Sequence, residues 1–253
     1  MKSMSEAALI GPRIRNPFGG IGADALACGY SNRGFGNMSL CYGPTEGVLA
    51  DRRDFLAGLG IDFRDLVSAH QVHGSAVKYA TDADKGSGAL VYGSSVPATD
   101  GLITDKKNVP LSIFTADCLS IFLYDPKTPA VGLVHAGWRS SRASICGNAL
   151  RSMRELFGTD PSCVYAALGP AIRDCCYEVS AELNGYFPQA VISRGRSLYL
   201  DLALVNRGQL AASGVRDTNI FDSGGCTYCG DNFFSYRRQG ASCGRMMSVI
   251  MLK

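Results

Sequence analysis

Histidine is scarce in this chain of 253 residues. Only three are present, His70, His73 and His135. A site built mainly from imidazole groups must draw on these side chains, so counting excludes a large multi-histidine cluster that holds several metal ions. A site for one metal ion stays compatible with the count.

Long apolar runs are missing as well. The stretch 111–125 is interrupted by Asp117 and bounded by Asp125, and it falls short of the roughly 18 residues that a membrane helix needs. The first residues contain neither the apolar segment nor the small-residue cleavage site of a secretory signal. We therefore expect a soluble, cytoplasmic protein with no membrane partner.

Runs of lysine and arginine are also lacking, and the net charge is only +3. A nucleic-acid partner would favour a strongly basic patch, so we expect no nucleic-acid binding. The apolar fraction of 46% suffices for a sizeable core. With no visible linker or repeat, residues 1–253 are predicted to form a single catalytic domain, in which residues 1–28 are partly irregular.

The apolar pattern favours an α+β fold. Short strand-like runs stand at 111–114, 119–125, 130–135, 164–170 and 246–252. Helices are predicted at 51–60, with Asp51 as N-cap, and after residue 139. The second of these begins at Ser140 or Ser141, ends at Gly158 and carries Leu156 on its apolar face.

Three side chains that can bind a metal stand at predicted strand ends. His73 is in the turn of HQVHG, Cys118 ends TADC between two strands, and His135 follows the run AVGLVH. Two imidazoles and a thiolate suit zinc, and a fourth tetrahedral position would stay open for water or substrate. Each residue could instead be a buried core residue. His70 competes with His73, which we prefer because Gly74 beside it allows close backbone approach.

An anion site is predicted next to this trio. A helix start offers unpaired N–H groups and the positive end of a dipole, and Arg139 could add a guanidinium. The alternative is an ordinary capped helix with a solvated arginine. In FFSYRR (233–238), aromatic rings could stack on a base and the arginines could hold an anion, or the rings could simply pack in the core.

Ten cysteines are a high number for a chain without a predicted export signal, and they favour buried thiols, a metal site or a nucleophile over disulfides. Cys226 and Cys229 have CxxC spacing, which alone is weak evidence for a structural zinc. The adjacent Cys175 and Cys176 are not expected to supply the other half from one rigid element.

Several motifs in order resemble one known family. They are QVHG (71–74), TADC (115–118), HAGWR (135–139), LGPAI with CCYEV (168–179), and CT, FFSYRR and GR between 226 and 245. The chain resembles the laccase-domain family, described as multicopper polyphenol oxidases, as purine nucleoside phosphorylases and, in bacteria, as peptidoglycan editing factors. The resemblance implies zinc at His73, Cys118 and His135, and a substrate or phosphate contact at Arg33 in YSNR.

The resemblance further implies phosphorolysis of adenosine, inosine and methylthioadenosine to the free base and pentose 1-phosphate, together with adenosine deamination. It implies β-sheets packed face to face and flanked by helices, similar to a toxin deamidase with a Cys–His pair. We expect a monomer or homodimer whose partners are purine nucleosides and phosphate. Arg139 is the second expected substrate contact, and Asp117 is a candidate general base.

Alternatives stay open at this point. Cys118 could be the nucleophile and His135 the base of an amide hydrolase, or the chain could edit peptidoglycan precursors. Copper could occupy the trio by the Irving–Williams order. A polyphenol oxidase is disfavoured, because multicopper clusters need far more imidazoles than three.

Overall fold

The structure of the protein is a computed structural model that describes residues 14–253. Its strands are, in chain order, β1 (Leu26–Tyr30), β2 (Val67–Ser68), β3 (Val77–Tyr79), β4 (Gly101–Thr104), β5 (Leu111–Thr115), β6 (Leu119–Asp125), β7 (Ala130–Ala136), β8 (Tyr165–Leu168), β9 (Glu178–Val179), β10 (Val191–Arg194), β11 (Ser197–Leu200), β12 (Ile220–Asp222) and β13 (Met246–Leu252). Its helices are α1 (Thr45–Ala57), α2 (Trp138–Arg142), α3 (Ile145–Phe157), α4 (Glu182–Tyr186), α5 (Leu202–Ala212) and α6 (Tyr236–Gln239).

The strands form three sheets. A six-stranded mixed sheet has the order β12-β8-β6-β7-β4-β3, a four-stranded sheet has the order β1-β13-β5-β2, and a small sheet has the order β10-β11-β9. Strands β6 and β7 pair antiparallel along their whole length, and Ser120 lies opposite His135. The predicted α+β class is confirmed by this mixture of sheets and helices.

The two larger sheets pack on one another. Phe122 of β6 and Leu133 of β7 share a buried cluster with Leu111 of β5 and Ile250 of β13. The other face of the six-stranded sheet packs against α3 and α5. Both faces of β6 and β7 are thus covered, which explains why apolar residues in these strands occupy successive positions rather than alternate ones.

Helix α1 covers the outer face of the four-stranded sheet, where Phe55 and Leu56 pack against Met247 and Val249 of β13. The order of layers is therefore helix, sheet, sheet, helices. This arrangement places the ends of β5, β6 and β7 at one edge, between the two sheets.

Two predicted helices differ from the structure. Helix α1 begins at Thr45 after Pro44, well before the predicted N-cap Asp51, because proline pre-sets φ for a helix start and Gly47 masks the helical pattern in the sequence. The helix predicted from Ser140 or Ser141 is two helices. Ser144, in the left-handed region (φ 57°), separates α2 from α3.

The end of α3 follows the prediction only in part. Gly158 is its C-cap at φ 74°, as expected. Leu156, however, is exposed, so the apolar face is narrower than predicted. The strands expected at 111–114, 119–125, 130–135, 164–170 and 246–252 are all present as β5, β6, β7, β8 and β13.

The segment 1–28 is predicted to be partly irregular, and its residues 1–13 lie outside the described residues. Residues 17–25 form successive turns, and regular structure begins with β1. Across residues 14–253, none of the helices has both the length and the apolar character needed to cross a bilayer.

Candidate metal centre

Two of the three predicted metal ligands lie on connections between the sheets, and the third lies on a strand. His73 lies on the connection from β2 in the four-stranded sheet to β3 in the six-stranded sheet. Cys118 lies on the connection from β5 to β6, which joins the same two sheets. His135 is near the end of β7, beside the start of β6. The three residues therefore meet at one edge of the stacked sheets.

The structure brings these three side chains together. Their candidate ligand atoms all lie within 4.8 Å of one another. The Cys118 sulfur is 4.0 Å from Nε2 of His73, and the rings of His73 and His135 meet edge to face with centroids 4.8 Å apart. His70 lies apart from the group, with its ring against Tyr92 at 5.0 Å. The preference for His73 over His70 matches this geometry.

Asp100, which the sequence did not single out, organises two of the three ligands. It is fully buried, and one carboxylate oxygen accepts a hydrogen bond from Nδ1 of His135 at 2.7 Å. The same carboxylate accepts hydrogen bonds from the backbone N–H groups of Val72, His73 and Gly74 at 3.1, 3.0 and 2.7 Å. Nδ1 of His135 is thereby engaged, so Nε2 is the nitrogen that can serve as a ligand.

Two residues at the site have left-handed backbone conformations, which residues other than glycine rarely adopt. They are His73 at φ 59° and Asp117 at φ 87°. The three backbone hydrogen bonds to Asp100 hold the turn at His73. Such strained conformations persist where surrounding contacts fix them, and they are common at functional sites.

Asp117 is held in the same manner. One of its carboxylate oxygens accepts a hydrogen bond from the Thr227 hydroxyl at 2.6 Å, and the other accepts one from the Arg237 backbone N–H at 2.7 Å. Its carbonyl accepts from the N–H of Ile172 at 2.9 Å. Both oxygens are engaged, so Asp117 fits a role in positioning Cys118 better than the role of a general base.

Glycine is needed at position 137 because the backbone there passes close to two side chains of the trio. A Cβ atom at this position would lie 3.1 Å from the Cys118 sulfur and 3.2 Å from Cδ2 of His73. The glycine in HAGWR therefore lets the chain pass directly beside two of the ligands.

Within the trio, Cys118 and His135 form an oppositely charged pair in metal-free protein. Burial alone would raise the pKa of the Cys118 thiol, but the charge and hydrogen bonds of His135 and His73 lower it to about 6. Burial would lower the pKa of His135, but the Cys118 thiolate and Asp100 raise it to about 9. Burial opposes ionisation of Asp100 too, yet the hydrogen bonds from His135 and the backbone hold its pKa below the ordinary value.

The donor set fits one divalent cation. Two imidazoles and a thiolate are borderline-soft ligands of the kind that zinc prefers, and a carboxylate behind a ligating histidine is the usual support of such a site. A multicopper cluster does not fit, because the whole chain has only three histidines and His70 lies away from the trio.

A cleft of about 560 Å³ opens over the trio. All three predicted ligands line it, and Arg139 lines it as well, with its guanidinium 4.2 Å from the Trp138 ring centroid. Arg33 is outside the set of described residues that line the cleft. Its guanidinium donates to the Asp231 carbonyl at 3.3 Å and lies over the Phe234 ring. The substrate contacts at Arg33 and Arg139 stay predictions.

Several other aromatic and cationic residues that line the cleft were missed or only partly anticipated. They are Tyr42, Trp138, Tyr177, Tyr236, Arg237 and Arg245. The motif FFSYRR contains two of them, but it is Tyr236 and Arg237 that reach the cleft rather than the phenylalanines. The cleft thus combines aromatic walls with an excess of positive charge.

The structure corrects the expectation for the remaining cysteines. Cys175 and Cys176 lie in a turn, not on a rigid element, and their sulfurs are 3.4 and 3.3 Å from the sulfur of Cys229. With Cys226 they form a group whose sulfur atoms all lie within 4.8 Å of one another.

Comparison with known proteins assigns the family. A family model described as multi-copper polyphenol oxidoreductase laccase matches residues 27–253. The chain belongs to this laccase family. The resemblance carried by the sequence motifs is thereby confirmed.

Relatives within the laccase family have different names. A protein of Geobacillus stearothermophilus named purine nucleoside phosphorylase YlmD is 36% identical over 226 residues, 85% of this chain and 82% of that protein. A protein of an unknown prokaryotic organism named adenosine deaminase RL5 is 31% identical over 216 residues, 81% and 82% of the two chains. The crystal structure of YlmD from Geobacillus stearothermophilus superposes with a TM-score of 0.87 at 32% identity, covering 94% of each chain.

Proposed function

We propose that this chain, acting as one catalytic domain, is a zinc-dependent purine nucleoside phosphorylase that also deaminates adenosine. The observation that carries the proposal is the trio of His73, Cys118 and His135, with ligand atoms within 4.8 Å of one another at a cleft of about 560 Å³. A cleft of this size accommodates a small organic ligand. Relatives named for both activities support the assignment.

The lining of the cleft matches the chemistry of the two substrates. Tyr177, Tyr236 and Trp138 offer aromatic faces on which a purine base can stack. Arg139, Arg237 and Arg245 supply guanidinium groups that can pair with phosphate oxygens. The carboxylate of Asp117, which also lines the cleft, is engaged by Thr227 and Arg237. The cleft therefore favours an anion beside an aromatic base.

In phosphorolysis, an oxygen of phosphate forms a bond to the ribose C1′ as the bond from C1′ to the base nitrogen breaks. The base leaves with that electron pair and takes up a proton, and the sugar is released as pentose 1-phosphate. Positive charge develops on the ribose, and an anion fixed by arginines stabilises it. A metal ion bound by the trio would polarise an oxygen or lower the pKa of a bound water.

The protein's own residues prepare this site. Asp100 keeps His135 in one orientation and tautomer, and it holds the turn that carries His73. Asp117, which directly precedes Cys118, is held by Thr227 and the Arg237 backbone, and Gly137 leaves room beside the Cys118 sulfur. Binding and orienting the two reactants side by side reduces the entropic part of the barrier. In hydrolytic deamination, a water in the same cleft would form a bond to the purine C6 as the bond from C6 to the amino nitrogen breaks, and the amino group would leave as ammonia.

The test compares two histidines. Purified His73→Ala protein should lose zinc from the site and lose phosphorolysis of adenosine and inosine, measured by chromatography of the released base. His70→Ala is the matched control and should keep both, because His70 lies outside the group. Phosphorolysis that persists in metal-free His73→Ala would refute the role of the metal.

One observation favours a second candidate function. The thiol of Cys118, with its pKa lowered to about 6, faces a His135 imidazole whose pKa is raised to about 9. Such a pair resembles the nucleophile and base of a cysteine amide hydrolase, in line with the resemblance to a toxin deamidase. Metal analysis distinguishes the two functions, because a thiolate that binds zinc cannot attack a substrate. Purified protein without zinc that hydrolyses amides and is inactivated by alkylation of Cys118 would support the hydrolase.

A further inference from the structure

Four cysteines outside the cleft form a second compact group. Cys175 and Cys176 lie in the turn after β8, and Cys226 and Cys229 lie after β12, about fifty residues further along the chain. All four sulfur atoms are within 4.8 Å of one another, and those of Cys175 and Cys176 are 3.4 and 3.3 Å from that of Cys229. Zinc–sulfur bonds of about 2.3 Å imply roughly 3.8 Å between the sulfurs of a tetrahedral site. The observed separations are therefore close enough for all four sulfurs to bind one ion.

The local backbone favours ionised sulfur at Cys226. Backbone N–H groups of Arg173, Tyr228 and Cys229 hydrogen-bond to its sulfur. N–H groups directed at a cysteine sulfur stabilise the thiolate, which is the form that binds a metal.

Arginine side chains hold both cysteine-bearing segments in shape. One Nη atom of Arg238 donates to the carbonyls of Thr227, Tyr228 and Gly230, at 3.0, 2.9 and 2.6 Å. The guanidinium of Arg173 pairs with both carboxylate oxygens of Asp222, at 2.8 and 2.6 Å. The loop between Cys226 and Cys229 is therefore shaped by contacts that do not involve the sulfurs.

We propose that Cys175, Cys176, Cys226 and Cys229 bind a second zinc ion, in a closed tetrahedral site of four thiolates with a structural role. Zinc sites closed by four cysteine ligands leave no position for substrate, so this ion takes no direct part in a reaction. Binding releases the protons that the thiols still carry.

Two disulfides would explain the group less well. A disulfide brings two sulfurs within about 2.05 Å of each other and gives no reason for a second pair to share the same space. Here the sulfur of Cys229 lies nearly equidistant from two partners, and all ten cysteines of the chain are free thiols. Four sulfurs around a common centre are the arrangement that one cation requires.

The consequence for the molecule is a cross-link beside the cleft. Cys176 directly precedes Tyr177, and the segment of Cys226 and Cys229 leads into Arg237; both Tyr177 and Arg237 line the cleft. The Arg237 guanidinium already joins the two segments by donating to the Glu178 carbonyl at 3.0 Å. A zinc ion at the cysteines would fix this wall of the cleft without touching the trio.

The experiment measures zinc per chain by mass spectrometry of the metal in protein purified under reducing conditions. Wild type should hold about two ions, one at the closed site of four cysteines and one at the open site of the trio. Cys229→Ser should lose one of them, whereas Cys229→His should keep it, since three cysteines and a histidine also form a zinc site. Cys163→Ser, which removes a thiol outside both groups, is the matched control and should keep both ions.

A second readout isolates the proposed site from the trio. In His73→Ala protein, added cobalt(II) should give the visible absorption and charge-transfer bands of tetrahedral cobalt thiolate, and Cys229→Ser in the same background should abolish them. Loss of zinc from Cys229→Ser should also lower the unfolding temperature, and this readout does not depend on whether the chain phosphorolyses nucleosides.

Three outcomes would overturn the proposal. One is wild-type protein with zinc at the trio alone and four freely titrating thiols at these positions. Another is a disulfide among the four cysteines that persists under the purification conditions. The third is equal zinc content in wild type and Cys229→Ser.

Discussion

A carboxylate oxygen of Asp100 lies 2.7 Å from Nδ1 of His135, and both side chains are almost entirely buried. The same carboxylate holds the backbone N–H of His73 at 3.0 Å. One acidic residue thus orients two candidate metal ligands that are about sixty residues apart in the sequence.

Replacing Asp100 by asparagine should weaken zinc binding at the trio by roughly 10–100-fold, because the neutral amide supports the imidazole of His135 less well and presents an N–H₂ group to backbone donors. Zinc affinity is measured by competition with a chelator. The control is Asp105→Asn, which changes a partly exposed carboxylate bonded to Tyr79. Unchanged zinc affinity in Asp100→Asn would show that the trio does not rely on this support.

Gly137→Ala should impair the trio through steric contact alone. The backbone at Gly137 (φ −76°, ψ 171°) is open to alanine, but the added Cβ would lie 3.1 Å from the Cys118 sulfur. We expect lower zinc content and lower kcat, measured on purified protein. Gly147→Ala in α3 is the control. It meets no atom closer than 3.5 Å and should raise stability by about 0.5–1 kcal/mol. Normal zinc content in Gly137→Ala would contradict the required close approach.

In metal-free protein, Cys118 should react with iodoacetamide at neutral pH. Its pKa is lowered to about 6, so the reactive thiolate predominates above that pH and the rate falls as the pH is lowered through about 6. Added zinc should slow the reaction, because the ion occupies the sulfur. Peptide mapping gives the rate at each site, and Cys146, whose pKa burial raises to about 12, is the internal control. A Cys118 rate that rises only above pH 8 would contradict the pairing with His135.

Thr227→Val should destabilise the protein by about 1–3 kcal/mol, because the fully buried hydroxyl donates to the carboxylate of Asp117 and valine leaves that charge short of a donor. Urea unfolding of the metal-free protein measures the change. Thr218→Val at an exposed position should stay within about 0.5 kcal/mol of wild type. If both variants have the same free energy of unfolding, the hydrogen bond to Asp117 does not contribute this much stability.

The sequence predicted those parts of the fold whose pattern is local. Strands β6 and β7 could be recognised because both faces are buried, so that most of the residues in each strand are apolar. The break at Ser144 could not, since nothing in a serine indicates a left-handed backbone, which the packing of α2 and α3 imposes. The start of α1 was missed because Pro44 and Gly47 are as common in loops as at helix starts.

In the candidate site, too, some residues could be predicted from the local sequence, whereas others depend on tertiary contacts. His73, Cys118 and His135 stand out by residue type and by their places at strand ends. Asp100 is one acidic residue at the end of a long loop rich in Gly, Ser and Asp, and its role depends on a contact with β7 that no short motif records. Likewise, the meeting of Cys175 and Cys176 with Cys226 and Cys229 depends on the parallel pairing of β8 with β12 and on a turn in which adjacent side chains converge.

His73 and Cys118 each sit on a segment that passes from one of the stacked sheets to the other. An ion held by both residues would therefore bind only after the sheets have docked in the native register, which would couple metal affinity to the free energy of docking. Holo protein should accordingly resist opening of the sandwich, and amide hydrogens at the ends of β5 and β6 should exchange more slowly when zinc is present. Zinc bound at the active centre would then also stabilise the packing of the two sheets that forms this centre.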